Sequence, residues 1–190
     1  MLPRVLLLDN HDSFTWNLAQ LLDESGLCRF DVFRNDEVTL EHARQYEKLL
    51  FSPGPGIPSE IGIMREMIEL FAHEKSILGI CLGHQAIAEV FGANLINMDK
   101  VVHGIRKDII IHPPADNLFK GFQGCFSAGL YNSWAVSNDH LPSCLRVTAS
   151  SEGIIMGLAH TTFDVKGLQF HPESYMTETG RDMIANWLSA

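Results

Sequence analysis

The stretch Ser76-Ile77-Leu78-Gly79-Ile80-Cys81-Leu82-Gly83-His84-Gln85-Ala86-Ile87 decides the fold. Its apolar run, 77–80, reads as a short buried strand. Cys81 follows with a glycine two residues away on each side. Ala86, Ile87, Ala88, Val90 and Phe91 then recur at helical spacing. The pattern is strand, sharp turn, helix, with a thiol on the turn. It has the Gly-x-nucleophile-x-Gly layout of a nucleophile elbow, with cysteine in place of serine. Glycines suit the flanks because such a turn strains the backbone and brings its two arms close together. The helix points its first amides at the sulfur, which favours thiolate over thiol. Taken alone, the pattern fits a buried, inert cysteine equally well.

A second stretch, Gly167-Leu168-Gln169-Phe170-His171-Pro172-Glu173-Ser174, bears on that choice. A thiol nucleophile needs a base within hydrogen-bond reach, and the base needs an orienting group. Only Pro172 separates His171 from Glu173. In an extended segment residues i and i+2 share a side. Imidazole and carboxylate are therefore expected together at the C-terminal end of a strand over 168–170.

Outward from these stretches, strands are expected over 4–9, 28–33 and 48–51. The first is continuously apolar at Val5-Leu6-Leu7-Leu8, as in a parallel strand buried on both faces. Asp12 or Ser13 can cap a helix with an apolar stripe of Trp16, Leu18, Ala19, Leu21 and Leu22, ended by Ser25-Gly26. Thr39 can cap a shorter helix reaching Tyr46. Ser52-Pro53-Gly54-Pro55-Gly56 fits neither helix nor central strand and reads as a rigid loop that displays backbone N–H groups. Ile61, Met64, Met67, Ile68 and Phe71 mark a core-packing helix within 57–73. Strands alternating with helices predict an α/β fold with a parallel sheet. Between 94 and 150 the pattern changes to short alternating runs, at 105–112, 127–136 and 145–150. These predict antiparallel strands in a flanking sheet. A hairpin over 154–159 and 165–170 leads into His171. A closing helix opens at Thr177-Glu178-Thr179-Gly180 and buries Met183, Ile184, Trp187 and Leu188. No repeat, low-complexity tract or linker divides the chain, so a single domain over 1–190 is expected.

Hydrophobic residues make up 46% and charged residues 19% of the 190, enough for one substantial core. A formal net charge of −9 argues against broad binding to nucleic acid or anionic membrane. No apolar run is long enough to span a membrane. Cys28, Cys81, Cys125 and Cys144 contain no Cys-x-x-Cys pair, which disfavours a structural zinc site. The chain opens into a strand pattern without a signal-peptide layout, so a reducing cytoplasm with free thiols is expected. The nine histidines include no pair at zinc-enzyme spacing on a helix, and no metal is expected.

Gly-Ile-Cys-Leu-Gly-His-Gln and Gln-Phe-His-Pro-Glu-Ser together resemble the class I (triad-type) glutamine amidotransferases. Ser52-Pro53-Gly54-Pro55-Gly56-Ile57-Pro58 resembles a third motif of that family. The opening, Leu8-Asp9-Asn10-His11-Asp12-Ser13-Phe14-Thr15-Trp16-Asn17-Leu18, is similar to the small subunit shared by anthranilate synthase and aminodeoxychorismate synthase. The resemblance runs essentially the whole chain. It implies a flavodoxin-like, parallel or mixed central sheet with flanking helices and a small antiparallel sheet.

The resemblance also implies roles. Cys81 would be the nucleophile, His171 the base and Glu173 its orienting group. Gly54, Pro55 and Gly56 would wall the glutamine site, and the N–H of Gly56 or its neighbour would join that of Leu82 in an oxyanion hole. Gln85 would hold the bound glutamine. Ser133 and Trp134 would grip its α-amino and α-carboxylate groups through the main chain. Two departures stand out. Leu130-Tyr131-Asn132-Ser133-Trp134 replaces the family's Arg-Tyr-His-Ser-Leu, which puts the side-chain contacts of its first and third positions in doubt. Ile105 replaces a lysine in a segment that faces the partner in the family.

The implied activity is hydrolysis of L-glutamine through a cysteine thioester. Its ammonia would pass to a separate large, chorismate-binding synthase subunit that makes anthranilate or 4-amino-4-deoxychorismate, for tryptophan, folate or both. The chain is expected to carry no acceptor domain and no cofactor of its own; the partner is expected to need Mg²⁺. Other readings are a free-standing γ-glutamyl thiol hydrolase and a catalytically inactive docking or glutamine-sensing subunit. Within the family, the small subunits of imidazole glycerol phosphate synthase and GMP synthetase also stand, but the 9–18 opening counts against both.

Overall fold

A computed structural model describes residues 1–98 and 101–190. Its strands are β1 (Arg4–Asp9), β2 (Arg29–Arg34), β3 (Lys48–Phe51), β4 (Ser76–Ile80), β5 (Leu95–Asn97), β6 (Ile105–Ile111), β7 (Cys125–Leu130), β8 (Trp134–Val136), β9 (Leu145–Ser151), β10 (Ile154–His160) and β11 (Val165–Leu168). Its helices are α1 (Thr15–Ser25), α2 (Leu40–Ala43), α3 (Gly62–Phe71), α4 (Leu82–Val90) and α5 (Gly180–Leu188).

Nine strands form one mixed sheet in the order β2-β1-β3-β4-β11-β10-β9-β6-β7. The first five run parallel, and from β11 onward each pairing is antiparallel. Side chains on β1, β3, β4 and β11 alternate between two buried layers. Val5, Leu7, Leu50, Leu78 and Leu168 pack with Leu18 and Leu22 of α1 and Met183, Ile184 and Trp187 of α5. Leu6, Leu8, Leu49, Phe51 and Ile77 face the other way, onto Met64, Met67, Ile68 and Phe71 of α3 and Ala86 and Ile87 of α4. The run Val5–Leu8 is apolar throughout because neither face of β1 meets water.

Several expectations need correction. The antiparallel runs at 105–112 and 145–150 do not form a separate layer. Strands β6 and β9 instead extend the main sheet, because β10 and β11 bring its edge round to them. The run at 127–136 breaks after Leu130. Its first part pairs with β6 as β7, and its second crosses to β5 in the small two-stranded antiparallel sheet. Trp16 is 65% exposed and lies outside the apolar stripe of α1. Neither Asp12 nor Ser13 is the N-cap of that helix. Phe14 is, and the Asp12 carboxylate accepts the Phe14 N–H at 2.8 Å just before it. Thr39 does cap α2, accepting from His42 N at 3.2 Å, but the helix stops at Ala43. The 57–73 helix begins with a 3-10 turn at Pro58–Glu60 and becomes α-helical only at Gly62.

Candidate active site

Four segments converge beyond the C-terminal ends of β1, β3, β4 and β11, the edge at which open α/β sheets place their ligands. The elbow is built as the glycine spacing predicts. Cys81 sits between β4 and α4 with φ 50° and ψ −98°, a conformation that L-residues rarely adopt. Its N–H donates to Leu168 O at 2.7 Å, and its carbonyl accepts from Gln85 N at 3.0 Å. The two glycines permit close approach. A Cβ on Gly79 would meet the Gly83 main chain and, at 2.8 Å, His84 N. A Cβ on Gly83 would lie 2.8 Å from Phe51 Cβ and 2.9 Å from its carbonyl oxygen. A larger residue at either position would push α4 off the sheet.

His171 and Glu173 do come together, but not through strand alternation. Strand β11 ends at Leu168, and 171–174 form a turn closed by Ser174 N donating to His171 O at 3.2 Å. Pro172 occupies the turn position that its fixed φ suits. The result is a buried pair, His171 Nδ1 to Glu173 Oε1, at 2.6 Å. The turn is tied to the rest of the site through Thr177, whose hydroxyl donates to His171 O at 2.7 Å and accepts from Gly129 N at 3.0 Å. Phe14 and Tyr131 pack edge-on against the imidazole at 5.2 and 4.9 Å between ring centres. Burial opposes charge on this ring. The Glu173 carboxylate and the Cys81 side chain outweigh it, so the His171 pKa stands well above the ordinary histidine range. The other ring nitrogen, Nε2, is buried without a hydrogen-bond partner.

The Pro-Gly loop after β3 is held from below by the opening motif. Asn10 N donates to Ser52 Oγ and Asn10 Nδ2 to Ser52 O, each at 2.9 Å. Gly54 packs against Asn10 and the Leu82 side chain, and Gly56 has φ 77°. The loop closes over a cavity of about 190 Å³ lined by Gly54, Pro55, Gly56, Cys81, Leu82, Gln85 and the segment 131–134. All the sequence-predicted glutamine-site residues are brought together there with the thiol. The first helical amides of α4, including that of Leu82, lack a partner four residues back and open beside Cys81.

The departures from the family pattern have structural consequences. Leu130 is buried at the end of β7. Asn132 Nδ2 donates to Trp134 O at 2.9 Å, while Ser133 O accepts from Met98 N at 2.8 Å. The carbonyls of Ser133 and Trp134 are thus occupied within the protein. Ile105 is exposed and lines, with Leu130, Asn132 and Met156, a neighbouring groove of about 810 Å³.

Sequence reasoning assigned no role to Gln169, Tyr131, Asn132 or Phe14. In the structure Gln169 is a fully buried amide directly after β11. Its Nε2 donates to Cys81 Sγ at 3.5 Å, and its Oε1 accepts from Gln85 Nε2 at 3.1 Å. All four cysteines are free. Among the described residues no group of three or more His, Cys, Asp or Glu side chains is placed to hold a metal ion, and no helix is long and apolar enough to cross a membrane.

A strained cysteine at a strand-to-helix turn, an imidazole–carboxylate pair just beyond the end of the neighbouring strand and a small cavity at the thiol's side define an α/β protein of the nucleophile-elbow class. The chain belongs to the glutamine amidotransferase class-I family, whose pattern matches residues 6–190. It is 44% identical over 188 residues to aminodeoxychorismate synthase component 2 of Klebsiella aerogenes, covering 97% of this chain and 99% of that one. It is 41% identical to aminodeoxychorismate/anthranilate synthase component 2 of Bacillus subtilis, covering 97% and 95%. Among solved structures, a Thermoplasma acidophilum protein described as a GMP synthase subunit superposes with a TM-score of 0.88 at 25% identity, covering 100% of this chain and 94% of that one.

Proposed function

We propose that this chain is the glutaminase component of a chorismate-converting synthase, serving anthranilate synthesis, aminodeoxychorismate synthesis or both. The observation that carries the reading is the placement of Cys81: it lines the cavity with Gln85, Ser133 and Trp134, and Tyr131 of the same lining packs against the ring of the buried His171–Glu173 pair. The names of the curated relatives supply the choice of partner. The Cys81 thiolate attacks the side-chain amide of L-glutamine, and the N–H groups of Leu82 and of Gly56 or its neighbour receive the oxyanion. His171, having taken the thiol proton, gives it to the departing ammonia. Glu173 fixes the ring tautomer and stabilises the imidazolium. The bond formed is a γ-glutamyl thioester and the bond broken is carbon to nitrogen. Water, deprotonated by His171, then hydrolyses the thioester to glutamate and regenerates the thiol.

The ammonia passes to a large chorismate-binding subunit, which would bring its own Mg²⁺; no cofactor is assigned to this chain. A cytoplasmic setting and a single domain over 1–190 belong to the same reading. The test is glutaminase activity of the purified chain, alone and titrated with each candidate synthase and chorismate. Activity that rises with one synthase supports the reading and names the pathway. Equal activity with and without either synthase would favour a free-standing hydrolase, and no activity under any condition would favour a docking subunit.

A further inference from the structure

The amide of Gln169 has its direction set from a distance. The Trp134 carbonyl can only accept, so Gln85 must turn its Nε2 toward it, at 2.9 Å. The second hydrogen on that nitrogen meets Gln169 Oε1 at 3.1 Å. The Gln169 amide then has one orientation left, with Nε2 toward Cys81 Sγ at 3.5 Å. A main-chain carbonyl at one end of the line thereby determines that the sulfur at the other end receives an N–H donor. Cys81 N–H donating to Leu168 O at 2.7 Å fastens the nucleophile to the same segment through the backbone.

We propose that Gln169 is the positioning residue of the nucleophile, its Nε2–H holding the Cys81 sulfur in a direction set by Gln85 and Trp134. The inference rests on the reading of Cys81 as the nucleophile and adds a residue that reading does not use. A donor to sulfur is worth most when the sulfur carries charge. That is the state before attack, and again as the thioester carbon–sulfur bond breaks. Gln85 and Trp134 both line the cavity, so the same three hydrogen bonds join the ligand site to the thiol.

The test is iodoacetamide alkylation of the full chain as a function of pH. It is followed at the Cys81 peptide by mass spectrometry, because Cys125 is exposed and reacts too. Gln169→Glu keeps the side-chain shape and the acceptor that Gln85 needs but turns an oxygen toward the sulfur. Gln169→Met keeps the length and has no donor. The expected result in both is a Cys81 alkylation rate roughly fivefold to tenfold below wild type near pH 7, the scale of one typical hydrogen bond. The deficit closes by about pH 10, where the thiol is ionised regardless. Profiles that superimpose on wild type overturn the proposal. So does a deficit of equal size at every pH with a lowered melting temperature, which would make Gln169 a packing residue. Glutaminase turnover of the wild type with each synthase added is measured separately: its absence there would sink the proposed function, while the alkylation comparison would still decide the role of Gln169.

Discussion

His171 Nδ1 and Glu173 Oε1 stand 2.6 Å apart on a proline turn, and both side chains are almost completely removed from water. A buried carboxylate that close makes the imidazolium the favoured state of the ring and leaves Nε2 as the nitrogen directed at chemistry. Glu173→Gln keeps a hydrogen-bonding oxygen but removes the charge. It should lower kcat by about 10²–10⁴, the range for a lost general-base orienter. It should also bring the His171 titration, followed by NMR, down toward the ordinary value. The stability sign follows from the raised pKa. The pairing stabilises the fold fully below the unfolded histidine value of about 6.5 and loses that contribution as pH rises through the folded value. The stability gap between wild type and Glu173→Gln should therefore narrow with rising pH. A gap independent of pH would mean the pair contributes no linked charge.

Cys81 offers a test of strain that is separate from catalysis. Both Cys81→Ala and Cys81→Gly remove the sulfur and should abolish glutamine hydrolysis. Glycine normally costs a protein stability relative to alanine, but at φ 50° and ψ −98° the order should reverse. Cys81→Gly is expected to be the more stable by about 1–2 kcal/mol in denaturant unfolding. An alanine variant at least as stable as the glycine variant would show that the elbow stores no strain.

The elbow was legible in the sequence because its glycines answer a local need that cannot be met otherwise. The parallel half of the sheet was legible for a similar reason: strands covered on both faces read as unbroken apolar runs, as 5–8 does. The antiparallel half was harder. Whether β6 and β9 join the main sheet or leave it depends on what β10 presents at its edge, a long-range fact with no local mark. Trp16 misled because helical spacing places it near a stripe whose true edge is decided by α5. The His171–Glu173 contact was expected for the wrong geometric reason, since a turn and an extended segment can both bring i and i+2 together. The bond from Gln169 to Cys81 spans β11 and the elbow, and only the folded chain places them side by side.

Gly83 should be intolerant of any side chain. Its position against Phe51 Cβ and carbonyl oxygen, at 2.8 and 2.9 Å for an added Cβ, leaves the backbone of β3 as the group that must move. Gly83→Ala should destabilise the fold by about 1–3 kcal/mol, as over-packing of a core does. Glutaminase loss should exceed that expected from the unfolded fraction, because α4 carries Leu82 and Gln85 into the cavity. Activity that simply tracks the folded fraction would separate elbow packing from site geometry.

His84 sits on the first turn of α4, fully buried, with both ring nitrogens lacking a hydrogen-bond partner and its ring against Gly167. Burial pushes its pKa down to about 4, with the neighbouring Gly167 backbone opposing weakly. The ring is therefore neutral at pH 7. The unfolded chain takes up its proton at about pH 6.5. Between those values the unfolded state holds the extra proton, so stability must fall as pH drops from about 6.5 toward 4. The fall amounts to roughly 3 kcal/mol across that window, at 1.36 kcal/mol per pH unit. Above about pH 6.5 this residue contributes no slope. Charging the ring in place would leave a buried charge without a partner between α4 and β11. His84→Gln, similar in size and without a titrating group, should flatten the acid limb of the stability curve measured by urea unfolding at several pH values. If its acid limb instead matches the wild type, the acid sensitivity belongs to other groups and His84 is only a packing residue.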